Sequence, residues 1–468
     1  MSLTYEADSN LGQAIFGHAQ LGDQRRTARL VETFNLMQRH PGGTLPDKLS
    51  APPDLRAFYQ LCDADDVTHA AVIAAARQYT LARIADCPES VLLLHDATEL
   101  DYSSLTSLAD ELGQIGRGTN LGYVCQNVLA VTADTGEVLG LVDQILHHRD
   151  EVPENETLPQ RRERETRESL LWLRGTEHLS AEAKLIDVGD QGSDTFEFLE
   201  HEFHSGRRFV VRACKVRKVY AGHEPVGRRR YLKEYADSLP ELGRFTMDVQ
   251  AQSGRKARKD AEFIVRCGPV LVCPPHARCG RHGDEPLPLY VVQITEADPP
   301  VGEKAIDWTL LTNEQTQTFE DAWRVAGWYE RRWIVEEYHK SQKTGCQIED
   351  MQFTTTARLE PAIALLSVVA TTLLNLRDAS RRPDAKTRQA TTILAKDYVE
   401  VLSIWRYRKL REDLTIHDFF YALARLGGHQ NRKSDHRPGW LVLWRGWTKL
   451  QAMLDGYTAA KEVKWGIT

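Results

Sequence analysis

The order of apolar runs between residues 91 and 190 constrains this chain most. VLLLHDATELDY, GYVCQNVLAVTAD and EVLGLVDQILHH read as three strands, RRERETRESLLWL has helical character, and AKLIDVGD reads as a further short strand. The turn Asp134-Thr135-Gly136 between the second and third runs predicts a hairpin. This order specifies an α/β sheet, and in open α/β sheets ligands gather outside the carboxyl ends of the strands. Asp96 and Asp190 are expected at such ends. Glu99 and Asp101 are alternatives to the first, and Asp187 and Asp194 to the second.

A second constraint lies in WYERRWIVEEYHKSQKTG. At about 100° per residue, Tyr329, Arg332, Glu336 and Lys343 fall within roughly 60° of one another on one helical face, and Lys340 joins them. A carboxylate among guanidinium, ammonium and phenol groups suits a helix that holds a metal ion and grips a phosphodiester. On spacing alone, a solvated amphipathic helix with ordinary Glu and Lys pairs reads the same way.

The spacing Tyr, two residues, Arg, three residues, Glu, six residues, Lys closely resembles the motif of bacterial insertion-sequence transposases of the DDE type, the cut-and-paste, hairpin-forming kind. HDATELDY and VGDQGSD match the same pattern. The resemblance implies a ribonuclease H-like catalytic core with a β-rich insertion, flanked by helical N-terminal and C-terminal domains. It implies that Asp96, Asp190 and Glu336 are catalytic and bind two Mg²⁺ ions, with Mn²⁺ able to substitute. Tyr329, Arg332, Lys340 and Lys343 are then expected to hold the phosphates around the scissile bond. LGDQRRTARL is similar to the family's N-terminal DNA-binding segment, so Arg25, Arg26 and Arg29 are expected to contact the element's end. Arg212 matches a DNA-contacting arginine, and Trp308 stands where relatives stack an aromatic on a flipped base, although a core tryptophan on a strand is the alternative. The segment from LARLGGHQ to AMLDGY resembles the C-terminal dimerisation domain. Its Trp440, Trp444 and Trp447 suit a core or an interface. The implied partners are double-stranded DNA, as terminal inverted repeats and as target, and a second copy of the chain on paired ends. Where many relatives follow the second aspartate with Arg and Glu, this chain has Gln191 and Gly192. Two polar groups that could support the aspartate are missing, which bears on the hairpin step more than on first-strand nicking.

The 468 residues, 42% hydrophobic and 27% charged, suit a soluble globular protein of about three domains. The expected division is residues 1–80, helical and DNA-end-binding; 81–376, catalytic, with the β-rich insertion at about 220–315; and 377–468, helical and dimerising. The 145 residues between Asp190 and Glu336 exceed what a plain ribonuclease H core needs. Asp23 is a plausible N-cap for QRRTARLVETFNLMQRH, which ends before Pro41. A helix from about Pro361 to Leu376 is followed by the polar linker RDASRRPDAKTRQ. MSLTYEADSN lacks a secretory pattern, and the apolar run from Ala362 to Leu374 is too short to span a membrane. The scattered cysteines fit a reducing cytoplasm, so a cytoplasmic protein with no membrane partner is expected.

A net charge of -7 and a pI near 6.2 are unlike the usual footprint of a nucleic-acid binder. Local field matters more than the sum: from Arg207 to Lys233 there are ten Lys or Arg residues against one acid, Glu224. Arg255, Lys256, Arg258 and Lys259 form a second basic knot. Cys273, His276, Cys279 and His282 stand at zinc-like intervals within a Pro- and Gly-rich stretch. Gly116, Gly118 and Gly122 have the wrong spacing for a nucleotide fingerprint and are expected in a loop beside the active site. Two readings from other classes remain, a catalytically silent DNA-binding regulator of transposition and a paired-carboxylate glycosidase. The latter needs a sugar cleft rather than basic strips.

Overall fold

The computed structural model describes residues 11–149, 152, 155–249, 251, 255–275, 282–432 and 437–462. The chain begins with helices α1 (Leu11–Phe16), α2 (Gln24–Arg39), α3 (Leu45–Lys48), α4 (Pro52–Cys62) and α5 (His69–Asp86). Asp23 caps α2 as its pattern predicts, its carboxylate accepting the Arg25 backbone N–H at 2.8 Å. The helical region does not stop at residue 80: α5 continues to Asp86, burying Val72, Ile73, Ala76 and Ile84.

A sheet follows, with β1 (Val91–Asp101), β2 (Gly113–Gln114), β3 (Leu121–Thr132) and β4 (Val138–His147), the last two joined by the expected turn, in which Gly136 takes φ +70°. The stretch expected as one helix around residues 161–173 is instead broken into α6 (Leu158–Glu163), a 3-10 turn at Glu168–Leu170 and α7 (Leu171–Arg174). Then come β5 (Leu185–Gly189), α8 (Phe196–His204), β6 (Arg208–Arg212), β7 (Lys218–Ala221), β8 (Arg230–Tyr231), α9 (Leu232–Asp237), β9 (Gly243–Val249), β10 (Arg258–Val272), β11 (Leu287–Glu296) and β12 (Asp307–Thr312). The strand order is β2-β3-β1-β5-β6-β12-β11-β10-β7-β8, with β4 on β3 and β9 on β10. β1 runs antiparallel to β3 and parallel to β5, and β5 runs parallel to β6.

The region expected as a small β insertion is therefore an extension of the same sheet. β12 pairs antiparallel with β6, Leu311 opposite Val211, and β11 and β10 continue outward. An unpaired β6 edge would leave a row of backbone donors and acceptors unsatisfied, and β12 supplies their partners.

The chain closes with α10 (Phe319–Glu330), α11 (Trp333–Lys340), α12 (Thr356–Leu373), α13 (Asn375–Arg381), α14 (Lys396–Tyr407), α15 (Ile416–Leu426) and α16 (Trp440–Glu462). β1 shows how the sheet is covered on both faces. Leu92 and Leu94 enter the large core shared with α5, α12 and the C-terminal helices, while Val91 and Leu93 enter a separate cluster with Ile84 and Leu185. Residues Thr356–Arg381 are long and apolar enough to cross a membrane, but 83% of their most apolar window is buried, as in a core helix.

One expectation changes here, and an open choice closes. RDASRRPDAKTRQ does not begin as a polar linker, because Arg377 is 1% exposed within α13. Its guanidinium donates to Asp378, to Glu337 Oε2 at 3.2 Å and to the Gly136 carbonyl at 2.5 Å, joining three elements. Trp440, Trp444 and Trp447 are buried in the core: Trp440 stacks on Trp444 and Trp447 stacks on Tyr398. They fill the helical bundle and are not available as an exposed interface.

Candidate active site

Asp96 sits in the middle of β1 rather than at its carboxyl end, yet at the level where its parallel neighbour stops. His95 faces Gly189, the last residue of β5, so Asp96 and Asp190 lie one step beyond the final pair on adjacent strands. Asp96 has the same parity as Leu92 and Leu94 and points to the side of the sheet covered by α11 and α12. Asp190 caps a 3-10 turn, Gln191–Ser193, its Oδ1 accepting the Gly192 N–H at 2.9 Å.

Tyr329, Arg332, Glu336 and Lys343 do not share one unbroken helix. Tyr329 ends α10, the chain turns at Arg331 and Arg332, Glu336 lies in the first turn of α11, and Lys343 lies in a π turn at Ser341–Gly345. The break drops Arg332 between the sheet and the helix. Arg332 Nη1 donates to Asp96 Oδ2 at 3.1 Å and Nη2 donates to Glu336 Oε1 at 2.7 Å, so one guanidinium joins two carboxylates 240 positions apart. Its carbon also lies 5.9 Å from the centre of the Tyr329 ring.

Burial pushes the Asp96 carboxyl up to about 7; Arg332 opposes this, while the Asp190 and Glu336 carboxylates add to it. Burial also raises Asp190, against the Gly192 N–H and the charges of Arg332 and Arg212. Asp190 and Glu336 are thus both within electrostatic reach of Asp96. All three are hard oxygen donors, the kind Mg²⁺ and Mn²⁺ take. Their crowding is the strain a divalent cation would relieve. Among the described residues, however, no three acidic, imidazole or thiolate groups close tightly enough to hold a metal ion. The Arg332 charge stands between Asp96 and Glu336 instead. The donors fit such an ion in kind, and Arg332 holds two of them, Asp96 and Glu336.

The Asp96 shift has a consequence for stability. Its folded value of about 7 exceeds the ordinary 3.8, so the native state keeps a proton that the unfolded chain gives up. That contribution is complete below about pH 3.8 and is lost as the pH rises through 7. In chelator, the unfolding free energy of the native protein should fall over this window by on the order of 2–4 kcal/mol more than that of Asp96→Asn. Denaturant titrations at pH 4, 6 and 8 measure the difference; parallel pH curves for the two proteins would refute it.

The alternative acids all have structural duties. Glu99 accepts from the Gly116 N–H at 2.7 Å and from Arg149 at 3.2 Å. Asp101 accepts from Ser103 and Asn120. Asp187 is fully buried between His95 and Arg207. Asp194 accepts the Cys214 and Lys215 N–H groups at 2.6 and 2.7 Å and pairs with Arg217, so it fastens the basic turn after β6.

The other expected contacts divide. Arg212, at the end of β6, faces Asp190 closely enough to lower its carboxyl and donates to the Asp307 carbonyl at 3.3 Å. Trp308 is half-buried on β12, edge-to-face with Tyr329 at 5.3 Å between centroids. Tyr329 is only 4% exposed, which makes it a brace for Trp308 and Arg332. Lys340 is exposed, 6.0 Å above the ring of Trp333, itself 58% exposed. Lys343 is drawn three residues further along β1, donating to the Glu99 carbonyl and pairing with Glu349 at 3.1 Å. Gly116 and Gly118 lie in the connection between β2 and β3, and Gly122 is within β3, opposite Asp101.

The basic stretches are partly internal. Arg207 and Arg217 are buried and Arg208 pairs with Glu314, which leaves Lys215, Lys218, Arg228 and Arg229 exposed. Arg258 of the second knot is held by Glu296 and Glu303. Of the candidate zinc ligands, His276 and Cys279 lie outside the described residues, while Cys273 is buried and His282 packs edge-on to Phe196.

In the N-terminal region, the three arginines do not form a free cationic patch. Arg26 pairs with Asp66 at 2.6 Å, and Arg29 with Glu32 at 2.9 Å and Asp54 at 3.3 Å. Arg25, on Asp23, keeps a side chain that is 90% exposed and can reach a phosphate without breaking the helical bundle. Replacing Arg25 with alanine should weaken DNA binding and reduce the slope of log affinity against log salt by about 1, read by fluorescence anisotropy across a salt series. An unchanged slope would remove Arg25 from the interface.

Motif reading missed several groups. His95 and Arg207, which hold Asp187 in a buried hydrogen-bonded chain, are two of them, and Trp172, packed against Gly192, is a third. His95 adjoins Asp96 in sequence, the one signal that could have drawn attention to it; Arg207 was hidden in a basic run and Trp172 in an apolar one.

Residues 10–67 match a family model described as transposase DNA-binding. The match spans α1, α2, α3 and α4, together with Arg25, Arg26 and Arg29. It supports a DNA-binding transposase, with DNA as the partner of the N-terminal region.

Proposed function

We propose that this chain is a metal-dependent transposase that binds the terminal inverted repeats of an insertion sequence, cleaves and excises the element, and joins it to target DNA. One observation carries the reading. Asp96, Asp190 and Glu336, remote in sequence, gather around Arg332 at the end of the parallel β1–β5 pair. The order β4-β3-β1-β5-β6, with β3 antiparallel and β5 and β6 parallel to one another, supports a ribonuclease H-like core. The transposase DNA-binding match at the N-terminus gives the reaction its substrate class.

Asp96, Asp190 and Glu336 would hold two Mg²⁺ or Mn²⁺ ions. Such ions, when bound, polarise phosphoryl oxygens and activate a water or 3′-hydroxyl for in-line displacement. With the ions held there, Arg332 would be freed from at least one of its carboxylates, and its guanidinium would be available to a scissile phosphate. Arg212 and Lys340 grip flanking phosphates, and Lys343 steadies the far part of β1. Trp308, backed by Tyr329, stacks its indole on an unstacked base, a contact that contributes about 1–3 kcal/mol. The freed 3′-hydroxyl then attacks the opposite strand to give a hairpin, and a second copy of the chain occupies the other end. Such a protein works in the cytoplasm, on the nucleoid.

The test uses the full chain with a duplex carrying the inverted repeats that flank its coding region. Mg²⁺ should produce a nick with a 3′-hydroxyl at the element's end, and chelator should abolish it. Repeat binding without cleavage in either Mg²⁺ or Mn²⁺ would favour a silent DNA-binding regulator. Binding indifferent to salt would reject phosphate recognition, and with it the transposase.

A further inference from the structure

The turn that carries Asp190 leaves no room for a Cβ at position 192 unless a neighbouring side chain shifts. A Cβ placed there would lie well inside contact distance of Cζ2 and Cη2 of Trp172, and 3.0 Å from Asp190 Oδ1. Trp172, in α7, is 9% exposed and belongs to the apolar cluster that includes Phe196, Phe198 and Phe209. Its Nε1–H has no hydrogen-bond partner among the described residues. Packing alone therefore holds the indole with its six-membered ring against the turn. The same glycine's N–H is the donor that orients the Asp190 carboxylate, at 2.9 Å. Ser193 Oγ closes the turn from the other end by donating to the Asp190 carbonyl at 2.7 Å.

We propose that Trp172 is a positioning residue for Asp190: its indole fills the space beside Gly192 and thereby keeps that N–H on the carboxylate. The inference rests on the reading of Asp190 as a metal ligand. Trp172 is buried with its ring against Gly192, so its effect on Asp190 travels through the turn. The geometry couples the two positions, because a methyl at 192 must displace either the ring or the carboxylate.

The test is a double-mutant cycle read by Mn²⁺ binding to the full chain, with inverted-repeat binding measured in parallel. Gly192→Ala should weaken Mn²⁺ binding by about 10- to 100-fold, and Trp172→Leu by about 10-fold, with repeat binding unchanged. Once Trp172 is leucine, adding Gly192→Ala should cost less than about 3-fold, since the ring that the methyl would strike is gone. An equal cost in both backgrounds overturns the proposal, as does an unchanged affinity in Gly192→Ala. If Gly192→Ala alone does not fold, the double variant is compared with Trp172→Leu. Binding within about 3-fold supports the pair, and weaker binding or a second failure to fold overturns it. Absence of Mn²⁺ binding by the native chain would instead reject the metal-ligand reading, and the proposal with it.

Discussion

Glu336→Ala should reduce Mg²⁺-dependent cleavage of the element's end by at least about 10³-fold while changing repeat binding by less than about 3-fold. The asymmetry follows from where the residue stands. Glu336 is in the first turn of α11 with its side chain 29% exposed, and among the described residues it pairs with Arg332. An ion pair of that exposure contributes at most about 1 kcal/mol, so the fold should survive the change. The transposase DNA-binding match covers residues 10–67, in separate helices. On the proposed function, only the chemistry would depend on this carboxylate. A gel assay that separates binding from nicking, run beside a denaturant titration, measures all three quantities. Cleavage within about 10-fold of the native protein would remove Glu336 from the metal site, whatever the binding result.

The largest loss of stability is expected at Arg207. Its guanidinium is 2% exposed and donates to Asp187 Oδ2 at 3.0 Å from Nε and 2.6 Å from Nη2, with Glu202 3.4 Å away. Asp187 also pairs with His95 at 2.7 Å, both fully buried. Burial opposes ionisation of Asp187, but the His95 hydrogen bond and the Arg207 charge hold its carboxyl below the usual range. Glu202 is driven the other way, well above it, first by burial and then by Asp187. Arg207 is therefore the principal charge matching Asp187. Arg207→Leu would strand an anion in apolar surroundings, and the unfolding free energy should drop by about 3–5 kcal/mol. Adding Asp187→Asn should recover part of that loss, because the stranded charge is gone. A drop under about 1 kcal/mol, or a double variant weaker than the sum of the singles, would contradict this account. Asp187 lies on β5 beside β1, three residues before Asp190, so the same change should also lower nicking.

The residue types at the site were legible because metal and phosphate chemistry admits few choices. Spacing and the ends of apolar runs marked Asp96, Asp190, Glu336 and Arg332 as candidates, and the resemblance to the transposase motif is what set them above their neighbours. Their rivals could not be dismissed in the same way. Only the hydrogen bonds of Glu99, Asp101, Asp187 and Asp194 show those acids tied to loops and to arginines. The three arginines of α2 illustrate the same limit, since Asp54 and Asp66, which neutralise Arg29 and Arg26, come from beyond the helix that carries them.

Local pattern determined the hairpin around Gly136, the cap at Asp23, the strands that lead to the two aspartates and the apolar helix now seen as α12, because each depends on neighbours a few residues away. What tertiary structure alone decided was long-range. It merged the insertion into the sheet, broke the helix expected over 328–345 at Arg331 and Arg332, and buried Arg377 in the supposed linker. Each outcome satisfies a buried charge, a sheet edge or an apolar surface with a partner distant in sequence. Periodicity along a single segment carries no record of that partner.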